Sequence, residues 1–573
     1  MLGGPEAGAA YKGVMVLLGA MKSLTLAVPW AVGFAALVCG PVAQSQAVAP
    51  AKADAATMPE VDVRALQRPA GAVADPHAVV VQSLRVTGVR SLDAADVVRA
   101  SGFVVGAAYS VLDMRALAAR MREHYQQQGY FLAQVYVPAQ DITDGVLRLE
   151  VVEGQYGQVS VRNRSRLADS VAERVMGDLR TGSTVNSAAL ERRLMLLSDM
   201  PAVQVQSTLT PGATTGTTDL LVDLSPTAQW VGSLEADNHG NAFTGANRLG
   251  ASLHLNELLG YADQLQLRAL SSGEGLAYAR AAYQALLGEA TVGLAYTHMQ
   301  YQLGGAFAST NSSGTARVGG LFASYPLIRS KAKNLSVQGA LESKALIDQV
   351  DIGGLGQSTD KQAQTQIATL RGDFQDRSGT GQTTYQLQWT HGEIRLNSAD
   401  VADADSRSAN SAGTFDKLAY ALTYQKAVGA DSVIYAGLHG QWASKNLDAS
   451  EKFSLGGPNG VRAYPGGEAT GDEGAILSLE WRTGLPSLTQ ALSGQVQWMV
   501  FVDAGAVTLN KTPWDAWAGS NTRALRAAGL GLSYQGSGNW GLKATYAVKL
   551  GSEAATSSND SEGRFWLQAS KNF

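Results

Sequence analysis

The residues best placed to do chemistry lie in two short stretches near the C-terminal end. In Ser450–Glu480 (SEKFSLGGPNGVRAYPGGEATGDEGAILSLE), Arg462 and Tyr464 stand between Gly456-Gly457-Pro458 and Pro465-Gly466-Gly467. Glycine and proline on both sides exclude a regular helix or strand through the middle. The cation and the ring therefore sit on a folded-back excursion. Some 40 residues on, Phe501-Val502-Asp503-Ala504-Gly505 sets a carboxylate between apolar neighbours in a strand pattern, near a glycine where backbone can approach closely. The chemistry open to Arg462 and Asp503 is electrostatic. Two unit charges ~4 Å apart at an effective dielectric of ~20 attract by about 4 kcal/mol before desolvation, and a wet setting leaves ~1–3 kcal/mol. Unpaired, the two would be an ordinary surface arginine and a strand-end aspartate.

Covalent chemistry finds no constellation. The seven histidines are scattered, with no HExxH and no paired metal spacing. His239 and His254 read as polar residues at strand positions. Gly456-Gly457-Pro458-Asn459-Gly460 lacks the lysine of a phosphate loop, and no Gly-x-Ser-x-Gly elbow is present. No catalytic residue, metal ligand or cofactor is expected, which disfavours a surface hydrolase.

The elements that must position the pair are strands. Asp263–Arg268 alternates polar and apolar, as do Val292–Thr297 and Tyr385–Thr390. One face is therefore apolar and the other polar, as in a soluble sandwich or a membrane barrel. Trp230 to Phe573 leaves room for about 16 spanning strands at ~10 residues each plus connections. Phe565, Leu567, Ala569 and Phe573 share one face of a last strand, interrupted by Lys571. The chain has 573 residues, 63 glycines, 16% charged residues and a net charge of -4, a balance that argues against a nucleic-acid partner. No apolar run after residue 40 approaches the ~20 residues of a spanning helix.

At the N-terminus, Met21-Lys22, the apolar Leu24–Val38 and small residues at Ser45 and Ala47 predict a secretory signal peptide over 1–47, with Met21 the better initiator. The sole cysteine, Cys39, would leave with it. Residues 48–78 read as a linker, in which Val61–Gln67 is too short for a stable helix. Two similar α+β stretches follow. The first has a strand at Val79–Val86, helices at Leu92–Ala100 (Ser91 as N-cap) and Leu112–Gln128, and strands at Leu132–Val137 and Gly145–Glu153. The second has a strand at Gln158–Arg162, helices at Ala168–Leu179 and Ser187–Ser198, and strands at Val203–Thr210 and Thr218–Ser225. The order in both is β-α-α-β-β. Open sheet edges in such units could take up an extended chain as an added strand.

VRAYP followed by FVDAG resembles the VRG(Y/F) and F-x-D pair of two-partner-secretion (type Vb) outer-membrane transporters, the ShlB/FhaC/HecB type, in the Omp85 superfamily. The longer SEKFSLGGPNGVRAYP is the more specific match, with Ala463 where many relatives have glycine. Gly129–Gln140 resembles the first POTRA domain of these transporters, Ser233–Gly240 their first barrel strand, Asn256–Gly260 the turn after the second, and Ser324–Arg329 a periplasmic turn. The resemblance implies POTRA domains over 79–154 and 155–227 in the periplasm. It implies a transmembrane antiparallel β-barrel over 228–573 in the outer membrane, with loop 450–480 folded into its lumen. There Arg462 would pair with Asp503, with Gly456, Gly457, Val461 and Tyr464 shaping the loop and Phe501 and Gly505 the wall. Phe573 would be the barrel assembly signal. The implied partners are a large secreted protein with an N-terminal secretion domain, outer-membrane lipid and the barrel assembly machinery. The relatives' function is to receive an unfolded haemolysin, adhesin or toxin and pass it through the pore. An Omp85-type insertase, commonly with three to five POTRA domains, and a passive porin or receptor remain as alternatives.

Overall fold

The computed structural model of the chain describes residues 78–352 and 355–573. The expected signal peptide, the Met21 start, Cys39 and the Val61–Gln67 stretch lie outside the described residues. The first unit comprises β1 (Val79–Val81), β2 (Ser83–Thr87), α1 (Ala94–Ser101), β3 (Ala107–Tyr109), α2 (Val111–Gln127), β4 (Gln134–Tyr136) and β5 (Val146–Val152). Its sheet runs β2-β5-β4, parallel then antiparallel, while β1 pairs with β3. The strand expected over 79–86 is thus broken at Gln82, whose N–H turns to the Gly145 carbonyl. Helix α2 buries Met114, Leu117, Met121 and Tyr125 on one stripe and starts at a Ser110/Asp113 capping box. Ser91 is not the N-cap of α1. Asp93 takes that place, accepting from the Ala95 and Asp96 N–H groups, because a carboxylate also suits the positive helix end. Ser91 instead donates to the buried Glu153. Burial alone would raise the Glu153 pKa. The Arg90 and Ser91 N–H groups and the Ser91 and Tyr125 hydroxyls outweigh it and hold the carboxyl below its ordinary value.

The second unit comprises β6 (Gln155–Asn163), α3 (Asp169–Met176), α4 (Ser187–Ser198), β7 (Val203–Pro211) and β8 (Thr217–Pro226). Its sheet order, β6-β8-β7, has the same parallel-then-antiparallel pattern. Val171, Val175, Leu197, Val222 and Leu224 fill its core, and Ala262 from a later turn joins them.

The rest is strand. In order come β9 (Trp230–Asp237), β10 (Arg248–Asn256), β11 (Gln264–Ser271), β12 (Leu276–Leu287) and β13 (Ala290–Gln302). Then follow β14 (Ser313–Arg329), β15 (Lys333–Ile352), β16 (Leu355–Gln375), β17 (Gly381–Leu396), α5 (Ala399–Ser406), β18 (Gly413–Val428) and β19 (Ser432–Ala443). A two-residue pair, β20 (Phe453–Ser454) and β21 (Thr470–Gly471), sits inside a loop. The chain closes with β22 (Glu473–Gly484), α6 (Pro486–Ala491), β23 (Gly494–Thr508), β24 (Thr522–Gly536), β25 (Trp540–Lys549) and β26 (Gly563–Asn572). Among the described residues, sixteen strands, β9–β19 and β22–β26, form one closed antiparallel barrel. The closing ladder, β26 on β9, has five registered pairs, extended by Phe573 N–H to the Gly232 carbonyl.

The outward positions are Leu249, Leu294, Tyr296, Leu321, Leu341, Leu387, Trp389, Leu477, Leu530 and Leu567, all exposed. A continuous apolar belt of this size around a barrel is a lipid-facing surface. Helices of the described residues are too short or too polar to cross a membrane; the strands do so.

Three further expectations change. The loop read as 450–480 is 444–472, since Glu473–Gly484 is strand β22; Ile476, Ser478 and Glu480 alternate with Leu477 and Leu479, and the wall captures them. Ser324–Arg329 is the end of β14 rather than a turn. Pro326 cannot donate to the ladder, so the register slips between Pro326 and Ile328 and the strand continues to Arg329. His239 lies two residues past β9, edge-on to Trp566 with ring centroids 5.7 Å apart; His254 does lie on a strand, β10.

The turn after β10 is built round Asp263, whose carboxylate accepts from the Leu258, Leu259 and Tyr261 N–H groups. Beside it Glu257 is 2% exposed with φ 51°, and both its oxygens lack a hydrogen bond within the protein. Burial, then the Asp263 charge, pushes its pKa up to about 7. An unfolded chain ionises this group near 4.5, so the folded chain holds the extra proton between the two values. The stability contribution is therefore intact below pH ~4.5, falls as pH rises to ~7 and stays low above, by up to about 3 kcal/mol. Glu257→Gln is expected to unfold at higher temperature than the parent at pH 8 but not at pH 4, measured by calorimetry in detergent. Parallel pH profiles for both proteins would refute the assignment.

Candidate functional site

Loop 444–472 leaves β19 at the barrel end remote from the α+β units and turns back into the lumen. Its neck is the β20–β21 pair, Phe453 opposite Gly471 and Ser454 opposite Thr470. Beyond the neck the backbone knots on itself: Val461 N–H donates to Leu455 O at 2.8 Å, and Gly457 N–H to Tyr464 O at 3.1 Å. Glycine is required here. Gly457 has φ 122°, and a Cβ on Gly456 would lie 2.3 Å from the Pro465 carbonyl oxygen. Ala463, in place of glycine, needs no positive φ. The tip buries Leu455, Val461, Ala463 and Tyr464 against Ile476, Phe501, Val507, Leu525, Ala527 and Ala547 of the wall. Gly505 permits the approach; a Cβ there would sit 3.0 Å from Leu455 and 3.1 Å from Ile476.

Arg462 is 4% exposed and Asp503 0%. The guanidinium donates Nε to Oδ2 of Asp503 at 2.8 Å and Nη2 to Oδ1 at 2.7 Å, a two-point fork. The Arg462 N–H reaches the same carboxylate at 3.2 Å. Nη1 donates to Glu480 at 2.8 Å, and Glu480 also accepts from Arg482 at 2.7 Å. The Phe501 ring lies 3.4 Å from the guanidinium carbon. Trp566 Nε1 donates to the Arg462 carbonyl at 2.7 Å, fastening the loop to β26. Two cations and two carboxylates thus form a neutral chain. The wet, two-residue pair expected from sequence is in fact a four-residue network in which Arg462, Asp503 and Glu480 are dry and Arg482 is partly exposed, so the buried members depend on the others to offset their desolvation. Tyr464 donates to the Glu553 carbonyl at 3.0 Å. Phe573 lies away from this site, half-exposed beneath the Lys571 ammonium.

Sequence reasoning missed the other anchors. Glu451 is buried between Lys344 (2.7 Å) and Lys417 (2.8 Å), and Asp448 accepts from Lys361 at 2.8 Å. Asp472 binds Lys452 at 2.8 Å and the Leu447 N–H at 3.0 Å. Glu468 binds Arg523 and takes the Thr556 and Ser557 N–H groups at 2.9 and 2.8 Å. The signal was present: Lys344, Lys361 and Lys417 fall on inward positions of alternating strands, opposite a loop rich in carboxylates.

A lipid-embedded barrel whose lumen holds an ion-anchored loop, with small α+β units at one mouth, defines an outer-membrane β-barrel transporter with periplasmic POTRA-type modules. Residues 79–154 match the ShlB-type POTRA domain. Residues 216–534 match the family described as haemolysin secretion/activation protein ShlB/FhaC/HecB, more than half of the chain, and the chain belongs to that family. It is an outer-membrane translocator of the two-partner-secretion type, which sets aside the insertase and porin alternatives. Among its relatives, the heme/hemopexin transporter protein HuxB of Haemophilus influenzae is 26% identical over 82% of both chains. The outer membrane transporter CdiB of Dickeya dadantii is 25% identical over 69% of this chain and 71% of its own. The solved CdiB from Escherichia coli superposes with a TM-score of 0.73 at 20% identity, over 89% of this chain and 93% of that one.

Removing the guanidinium leaves the buried Asp503 carboxylate without its cation and Glu480 with Arg482 alone, a change that costs about 3–5 kcal/mol in comparable buried pairs. Arg462→Ala is therefore expected to make the purified protein cleavable within 450–470 by a protease that leaves the parent intact. Arg462→Lys should be intermediate, since one ammonium cannot reproduce the fork. Equal resistance of all three would show that the network does not hold the loop.

Proposed function

We propose that the lumen loop is the gate of a conduit for a large secreted partner, closed by the Arg462–Asp503–Glu480 network. The second α+β unit, residues 155–227, acts with the first as a pair of POTRA domains. They receive the partner as an extended chain, by strand addition at open sheet edges, and the barrel passes it to the cell surface. Transport involves no covalent step and no cofactor, and folding outside drives it. The barrel itself reaches the outer membrane through the assembly machinery, with Phe573 as part of its signal. The observation that carries this reading is the burial of the guanidinium fork on the inner wall. A loop that merely decorated the surface would have no need of a charged tether inside the pore.

Asp503→Arg is expected to abolish secretion of a co-expressed large exported protein that carries an N-terminal secretion domain, followed by surface immunodetection. Adding Arg462→Asp alone would set the introduced carboxylate against Glu480. Recovery is therefore expected from Asp503→Arg with Arg462→Asp and Glu480→Gln, and less from the two-residue exchange. Normal secretion by Asp503→Arg would end the gate reading.

Deleting residues 79–226 should abolish secretion while the barrel still shows heat-modifiable migration in the outer membrane. Undiminished secretion by the deletion variant would show that the α+β units do not receive the partner.

A further inference from the structure

Among the described residues, the hydrogen bonds and ion pairs that join the second α+β unit to the barrel turns fall on one side. From α4, Arg192 donates to Glu289 at 2.7 Å and to the Pro326 carbonyl at 3.0 Å, and Arg193 joins the same Glu289 carboxylate. Glu289 lies in the turn between β12 and β13. Just past α4, Asp199 receives a two-point fork from Arg329, both contacts at 2.6 Å, and Glu191 accepts the Lys331 N–H at 2.8 Å. These lie at the β14–β15 turn. The β10–β11 turn adds Gly260, whose carbonyl accepts the Ala168 N–H at 2.9 Å, and it sends Ala262 into the unit's apolar core. Among the described residues, no hydrogen bond or ion pair runs from the second unit to the turns at 376–380, 429–431, 485–493 or 537–539.

We propose that the Arg192/Arg193–Glu289 and Asp199–Arg329 clusters are positioning residues for transport. They latch the second unit beneath the turns of β10–β15, and so leave the mouth beneath the turns of β16–β26 open as the side by which the partner chain enters. The function assigned to the latch rests on the conduit reading above; its geometry does not. An isolated surface ion pair adds little, but a fork and a carboxylate shared by two arginines restrict orientation as well as distance. A single covalent connection near residue 227 would leave the unit free to swing across the mouth. The latch removes that freedom, and the three turns it grips are consecutive along the rim.

The test uses the full chain in nanodiscs, spin-labelled at Ala188→Cys on α4 and Ser378→Cys in the β16–β17 turn, the first turn along the rim that the latch does not grip, both exposed positions. The parent is expected to give one narrow inter-label distance. Asp199→Arg and Arg329→Asp should each broaden it, and the exchange D199R/R329D should narrow it again. In cells co-expressing a large exported protein with an N-terminal secretion domain that the parent delivers to the surface, each single reversal should cut surface-delivered partner about five-fold or more at equal barrel level. The exchange should restore at least about half of it, as expected when two groups act as one coupled unit. Unchanged distances in the single reversals overturn the latch. Broadened distances with undiminished secretion, or no recovery in the exchange, overturn its positioning role. A parent that delivers no partner overturns the conduit reading instead, while the distance measurement still decides the latch.

Discussion

The structure depends on keeping one guanidinium satisfied inside a protein wall. Arg462 is dry, so every N–H it presents must find an acceptor, and each acceptor must be balanced in turn. The strand register supplies this. Ser478 stands opposite Asp503 and Glu480 opposite Phe501 across β22 and β23, so the carboxylates and the ring fall on the inward face within one side-chain spacing of each other. A slip of one residue would turn all of them to lipid. The arginine therefore ties the register of two wall strands to the place of a loop that belongs to neither.

That loop has little structure of its own. Its ladder is the short β20–β21 pair, and its tip is held by a few backbone bonds around glycines. Its order comes from outside, from small wall residues that let it approach and from loop carboxylates that meet cations on β15, β16, β18 and β24. An element stabilised mainly by its surroundings can leave when those surroundings change, whereas a wall strand cannot. The separation suits a gate: the barrel's hydrogen-bonded cylinder persists whatever the loop does.

The α+β units follow another logic. Each has its own apolar core, and their identity as small sheets covered by helices needs no help from the barrel. Only their placement does. The second unit shares Ala262 and Leu286 with the barrel turns, so its core and the membrane domain are continuous at that edge.

How much was legible in the sequence depends on the range of the interaction. Alternation such as Tyr385-Gln-Leu-Gln-Trp389 determined strands with a wet and a dry face, because the side-chain period of a strand is local. The helical stripe Leu117, Met121, Tyr125 and the punctuation at Gly456-Gly457-Pro458 were local too. Arg462 with Asp503 could be read from a resemblance, but not that Glu480 and Arg482 complete the charge balance, nor that Asp448, Glu451, Glu468 and Asp472 are anchors. Those partners lie far apart in the chain, and no periodicity joins them. Nor could the sequence say where β22 begins, since a glycine-rich stretch enters a ladder only when a neighbouring strand offers one. Composition and period determined what each segment could be. The closed barrel decided which distant charges meet, because only closure brings strands from β15 to β25 around one loop and excludes the water that would otherwise have satisfied them.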